Sequence, residues 1–139
     1  MTLVEKTTSA IAFIALVACA GMAQTGKTVS ISLSGSEEVP SVATSGSGSG
    51  RITIADDGSV RGSVTTTGVP GTMAHIHMGA KGQKGGVIIP LNKNGDMYTV
   101  PAGAKLTDAQ MAAFKAGNLY VNVHTATNKG GEVRGQLQP

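Results

Sequence analysis

The chain contains three histidines, and all three sit in two short alternating runs. His75 and His77 lie in Met73-Ala74-His75-Ile76-His77, and His124 lies in Gly117-Asn118-Leu119-Tyr120-Val121-Asn122-Val123-His124-Thr125. Residues two apart on a strand project to one face, roughly 6.6 Å apart. Imidazoles at that spacing can converge on one ion, with metal–nitrogen bonds of about 2.0–2.1 Å. His124 supplies a third nitrogen if its strand lies beside the first. Imidazole suits both copper and zinc. Met73 shares the face of His75 and is a candidate soft ligand; its competing role is packing. The polar side of the second run also carries Asn122. Closure of a hairpin over Thr125 to Gly131 sets Glu132 near His124, giving the carboxylate–imidazole contact that fixes a metal-binding tautomer. The competing reading is structural: histidines on a polar face that hydrogen-bond to Asn122, Glu132 or backbone.

Two strands must meet for this chemistry, and strict alternation supplies them. Leu119, Val121 and Val123 point one way, while Tyr120, Asn122 and His124 point the other, the period of a strand with one buried face. On that pattern the histidines lie opposite the core, facing solvent or a cleft. Ala126-Thr127-Asn128-Lys129-Gly130-Gly131 is turn chemistry, and Glu132 to Leu137 alternates again, so the segment reads as a hairpin. There Arg134 and Glu132 share the polar face, where a structural ion pair is expected.

Upstream, Thr28 to Ser34, Arg51 to Ala55, Ser59 to Thr66, Val87 to Leu91 and Asp96 to Val100 also read as strands. Asp56-Asp57-Gly58 and Asn94-Gly95 are turns between them. Gly35 to Gly50, with its Ser/Gly repeat, reads as loop. The glycine-rich stretch Gly79 to Gly86 has no helix behind it, so it is not a phosphate cradle. One helix interrupts the pattern near Asp108 to Ala116, announced by the capping box Thr107-Asp108-Ala109-Gln110 and closed by Gly117. The expected fold is all-β: a Greek-key sandwich or barrel of about eight short antiparallel strands, with one short helix before the penultimate strand.

With 139 residues, 14% charged and 3% aromatic, the chain suits one domain of short strands and tight turns. The net charge of +3 is scattered, with no basic run and no interleaved aromatics, which excludes the usual nucleic-acid footprint. Residues 1–23 read as a signal peptide: a polar start with Lys6, the apolar run Ala10 to Ala20, then Gly21-Met22-Ala23 as cleavage site before Gln24. Leu16-Val17-Ala18-Cys19 also fits a lipoprotein box, in which Cys19 would be lipidated and anchor the protein to a membrane. Ordinary cleavage is the preferred reading, leaving residues 24–139 as one exported domain, periplasmic or secreted. That product has no cysteine, so no disulfide holds it.

Glu38-Val39-Pro40, Ala74-His75-Ile76-His77, Leu106-Thr107-Asp108, the His124 strand and Gly130-Gly131-Glu132-Val133-Arg134-Gly135-Gln136-Leu137 together resemble the chordin-type (CHRD) domain. The likeness runs from about Thr28 to Leu137. It departs at Met78, where the family usually has glycine. The resemblance implies export and a Greek-key β fold. It implies little chemistry, since the family has no well-settled activity. The His-x-His pair also looks like the copper-binding strand of Cu/Zn superoxide dismutase, a likeness two residues carry. Three histidines suffice for one ion, not for a binuclear centre. No nucleophile set has a supporting signature, so the expected role is non-enzymatic. It is either binding of one copper or zinc ion, or interaction with an extracellular protein without metal.

Overall fold

A computed structural model describes residues 25–139. The signal-peptide and lipoprotein readings fall on residues 1–24, outside the described residues.

Nine strands and one helix follow in order: β1 (Gly26–Ser34), β2 (Ser47–Ala55), β3 (Val60–Thr67), β4 (Gly71–Met78), β5 (Gly86–Pro90), β6 (Asn92–Asn94), β7 (Met97–Thr99), α1 (Asp108–Lys115), β8 (Leu119–Thr125) and β9 (Val133–Leu137). All pair antiparallel, in the order β5-β4-β8-β9-β1-β2-β3-β7-β6. The two ends of that order, β5 and β6, are separated in sequence by Leu91 alone. The Leu91 amide donates to the Ala74 carbonyl at 2.9 Å. One stretch of chain therefore pairs first with β4 and then with β7, and the sheet curls into a nearly closed barrel with little free edge.

Alternation builds the interior as expected. Val29, Ile31 and Leu33 of β1, Ile52 and Ile54 of β2, and Leu119, Val121 and Val123 of β8 are all buried in one apolar cluster. The capping box of α1 is formed, with the Gln110 amide donating to Thr107 Oγ1 at 3.2 Å and the Thr107 amide to Gln110 Oε1 at 2.9 Å. Phe114 carries the helix into the core, and Gly117 closes it at φ +78°.

Two expectations change. The Ser/Gly run is not all loop: Ser47 to Gly50 belong to β2. A side chain at Gly50 would strike the Ser63 backbone, and one at Gly48 would come within 2.8 Å of Leu33 Cδ1. These glycines therefore mark close approach of neighbouring strands rather than flexibility. The second change concerns β8, whose every residue is buried. Its polar face is covered by the stretch Gly79 to Gly85 and by the hairpin turn before β9. The ninth strand is β6, three residues too short to show alternation.

Candidate metal centre

Register brings the three histidines together. In the β4–β8 ladder Met73 faces His124, His75 faces Asn122 and His77 faces Tyr120. His124 is thus the diagonal neighbour of His75. The His75 and His124 ring centroids are 4.8 Å apart, those of His75 and His77 5.6 Å, and those of His77 and His124 6.0 Å. One ligating nitrogen from each ring lies within 4.8 Å of the other two. His77 and His124 are 7% and 8% exposed, and His75 is half-buried. The polar side of these strands is an enclosed layer, more closed than the cleft expected.

Backbone carbonyls fix the two buried rings. His77 Nδ1 donates to the Gly85 carbonyl at 3.0 Å, and His124 Nδ1 donates to the Lys129 carbonyl at 2.7 Å. A carbonyl only accepts, so both Nδ1 atoms carry the proton and both Nε2 atoms present lone pairs. Carbonyl contacts of this kind set ring orientation and tautomer in metal sites. His75 Nδ1 meets His124 Nε2 at 2.9 Å, so in the neutral cluster His75 donates and His124 accepts. His77 Nε2 is buried and makes no hydrogen bond of ordinary geometry among the described residues, although the Asn122 side chain is near enough to act on the ring; Asn122 Oδ1 is likewise unmatched. Burial, then the neighbouring His124 and His77, hold the His75 pKa below its ordinary value. Burial dominates the lowering at His77, against the Gly85 bond, which raises it. Both shifts favour the neutral, ligating form.

The segments that carry these carbonyls are themselves held by side-chain hydrogen bonds. Arg134, 2% exposed, donates from Nη1 to the Gln83 carbonyl at 2.7 Å and from Nη2 to the Ala80 carbonyl at 2.9 Å. Gln136 Nε2 donates to the Gly79 carbonyl at 2.8 Å. The Gly85 amide donates to the Tyr120 hydroxyl at 3.0 Å. The Tyr120 ring stacks on His77 with centroids 4.7 Å apart, and the Arg134 guanidinium carbon lies 3.5 Å from the Tyr120 centroid. On the other side, Glu132 accepts from Thr125 Oγ1 at 3.2 Å, Asn128 Nδ2 at 3.1 Å and Thr44 Oγ1 at 3.2 Å. Asn122 Nδ2 donates to the Gly130 carbonyl at 3.2 Å.

The placement differs from the sequence expectation at Glu132 and Arg134. The carboxylate of Glu132 hydrogen-bonds to Thr44, Thr125 and Asn128 rather than to His124, and so supports the turn that presents the Lys129 carbonyl. Arg134 forms no ion pair with Glu132; its donors go to loop carbonyls, because those are the acceptors the Gly79 to Gly85 stretch lays over it. Met73 is 51% exposed and stands across the ladder from His124. It lines a cleft of about 320 Å³ with Thr72, His124 and Lys129. The Gly85 and Lys129 carbonyls escaped sequence reasoning because a backbone acceptor has no residue-type signal. The glycines around them were the available hint.

The CHRD domain family model matches residues 29–137. No curated protein and no solved structure matches the chain.

Proposed function

This chain belongs to the CHRD domain family, and we propose that on this scaffold it binds a single copper or zinc ion through His75, His77 and His124. The observation that carries the reading is His77 Nε2: a buried lone pair, with no hydrogen bond of ordinary geometry among the described residues, on a ring whose other nitrogen is pinned to a carbonyl. A buried acceptor left unmatched costs about 1–3 kcal/mol, so its presence beside two further imidazoles favours an ion as its partner.

The ligand nitrogens do not yet have metal spacing. Around a tetrahedral ion with bonds of about 2.0–2.1 Å, neighbouring nitrogens stand about 3.3–3.4 Å apart. The 2.9 Å His75–His124 contact must open slightly and lose its shared proton. His75 is the ring that adapts: half-buried, it can take the tautomer with its proton on Nε2, which leaves Nδ1 a free lone pair, while the carbonyl-held pair stays still.

The role is binding rather than catalysis. The protein acts after export, in the periplasm or outside the cell, either free or held to a membrane through Cys19 if that residue is lipidated. The apolar run Ala10 to Ala20 and the Ala23-Gln24 site support ordinary cleavage, and intact mass of the protein from its native host checks it. For the site, calorimetric titration of Zn(II) and of copper should give one ion per chain, and His75→Ala, His77→Ala or His124→Ala should each weaken binding by a large factor. Equal binding by the wild type and the triple histidine variant would refute the site and leave an extracellular interaction module as the reading.

A further inference from the structure

Resting on the metal-binding reading, we infer that the site selects copper in its monovalent state, Cu(I), over divalent zinc or copper. The ground is charge. All three ligands are neutral imidazoles, and the two buried ones lean on uncharged carbonyls rather than carboxylates. The nearest hairpin acid, Glu132, is directed into Thr44, Thr125 and Asn128. Meanwhile a buried cation stands behind the site. Arg134 lies against Tyr120, and Tyr120 stacks on His77, so the guanidinium is within about 8 Å of that imidazole. Arg134 makes no carboxylate contact: its side-chain bonds go to two carbonyls and Gln136. The buried acid that acts on it at longer range is Glu38, whose carboxyl burial pushes toward the neutral form.

A divalent ion therefore adds two positive charges to a buried region where Arg134 is opposed only by the burial-weakened Glu38 carboxyl, with no anion bonded to the ligands. Cu(I) adds one. At roughly 10 Å and an effective dielectric of about 20, the extra unit of charge repelled by Arg134 weakens binding by at most about 10- to 20-fold, less whatever Glu38 offsets. Softness acts in the same direction. Thioether sulfur favours Cu(I), and Met73 stands directly across the β4–β8 ladder from His124, at the mouth of the cleft that His124 lines. The three imidazoles serve either metal, and Glu132, directed away from them, lends zinc no carboxylate support.

The test is competition with chromogenic chelators, run anaerobically for Cu(I), against the same protein titrated with Zn(II) and Cu(II). Cu(I) should bind one per chain and more tightly than either divalent ion relative to a simple tris-imidazole chelator. Arg134→Gln should bring the Zn(II)-to-Cu(I) affinity ratio up several-fold, to at most about 10- to 20-fold. A general loosening of the site would weaken both ions alike and leave that ratio unmoved. Met73→Leu should weaken Cu(I) and spare Zn(II). Tight binding of Zn(II) or Cu(II) with no preference for Cu(I) would overturn this inference and leave the metal site standing. No stoichiometric ion of any kind would overturn both.

Discussion

Gly85 and Gly86 are adjacent, yet replacing each with alanine should have opposite consequences. A Cβ at Gly85 would run into the Met78 carbonyl group, with the Met78 carbonyl carbon 2.5 Å away and Gly79 Cα 3.1 Å away. These obstacles are backbone and cannot swing aside, so the loop must lift. The His77 Nδ1 to Gly85 carbonyl bond is 3.0 Å, and a lift of roughly half an ångström takes it beyond ordinary hydrogen-bond length. The Tyr120 hydroxyl contacts to the same residue go with it. Losing two or three bonds at about 1 kcal/mol each gives a destabilisation of about 2–3 kcal/mol, read as a fall in Tm of roughly 6–12 °C for a domain of this size. His77 is then free to exchange tautomers, and metal affinity should drop about 10–100-fold, as when other outer supports of a metal ligand are lost. A Cβ at Gly86 meets nothing within 4 Å, so Gly86→Ala should hold stability or raise it, by up to about 1 kcal/mol through the unfolded chain, and leave metal binding alone. Thermal unfolding and imidazole ¹⁵N spectra of both variants check this. If Gly85→Ala matches the wild type in Tm and in the His77 tautomer, the carbonyl does not fix the ring.

Stability of the metal-free protein should fall as pH drops. The pKa values of His75 and His77 are lowered in the fold, so the unfolded chain binds more protons. Their contribution is complete above about pH 6.5 and is lost as pH falls through the lowered values. Glu38 works the other way: burial raises its pKa, so its contribution is present below the unfolded carboxyl value and is lost as pH rises through the folded one. A chemical-denaturation series from pH 7.5 to 4.5 should therefore show a decline that His77→Phe reduces. Glu132→Gln weakens the three bonds its carboxylate accepts and should cost about 1–3 kcal/mol of stability, with a smaller loss of metal affinity than any histidine replacement; metal titration beside thermal unfolding separates the two. Thr107→Ala removes the helix cap at a cost of about 1 kcal/mol and should leave metal affinity unchanged by titration.

The barrel was largely legible because alternation is a local signal. Leu119, Val121 and Val123, the capping box at Thr107 and Gln110, and the turn at Gly58 each declare themselves within a few residues. The meeting of His75, His77 and His124 was legible only as a condition, since strand neighbours are set by pairing between residues as far as 49 positions apart, as His75 and His124 are. Burial of the polar face was not legible. Its cover comes from the glycine-rich loop, and the residue that holds that loop, Arg134, reads in sequence as an exposed partner for Glu132. The Ser47 to Gly50 segment misled for a related reason: its glycines answer to neighbouring strands, which composition does not reveal.

The central claim is that the three histidines form one ion site. It is tested most directly by native mass spectrometry after exposure to equal Zn(II) and copper, under reducing conditions, and passage over a chelating resin. The wild type should retain one metal ion per chain, and the variant lacking His75, His77 and His124 should retain none. Identical metal-free masses for both proteins, or identical metal-loaded ones, would contradict the account.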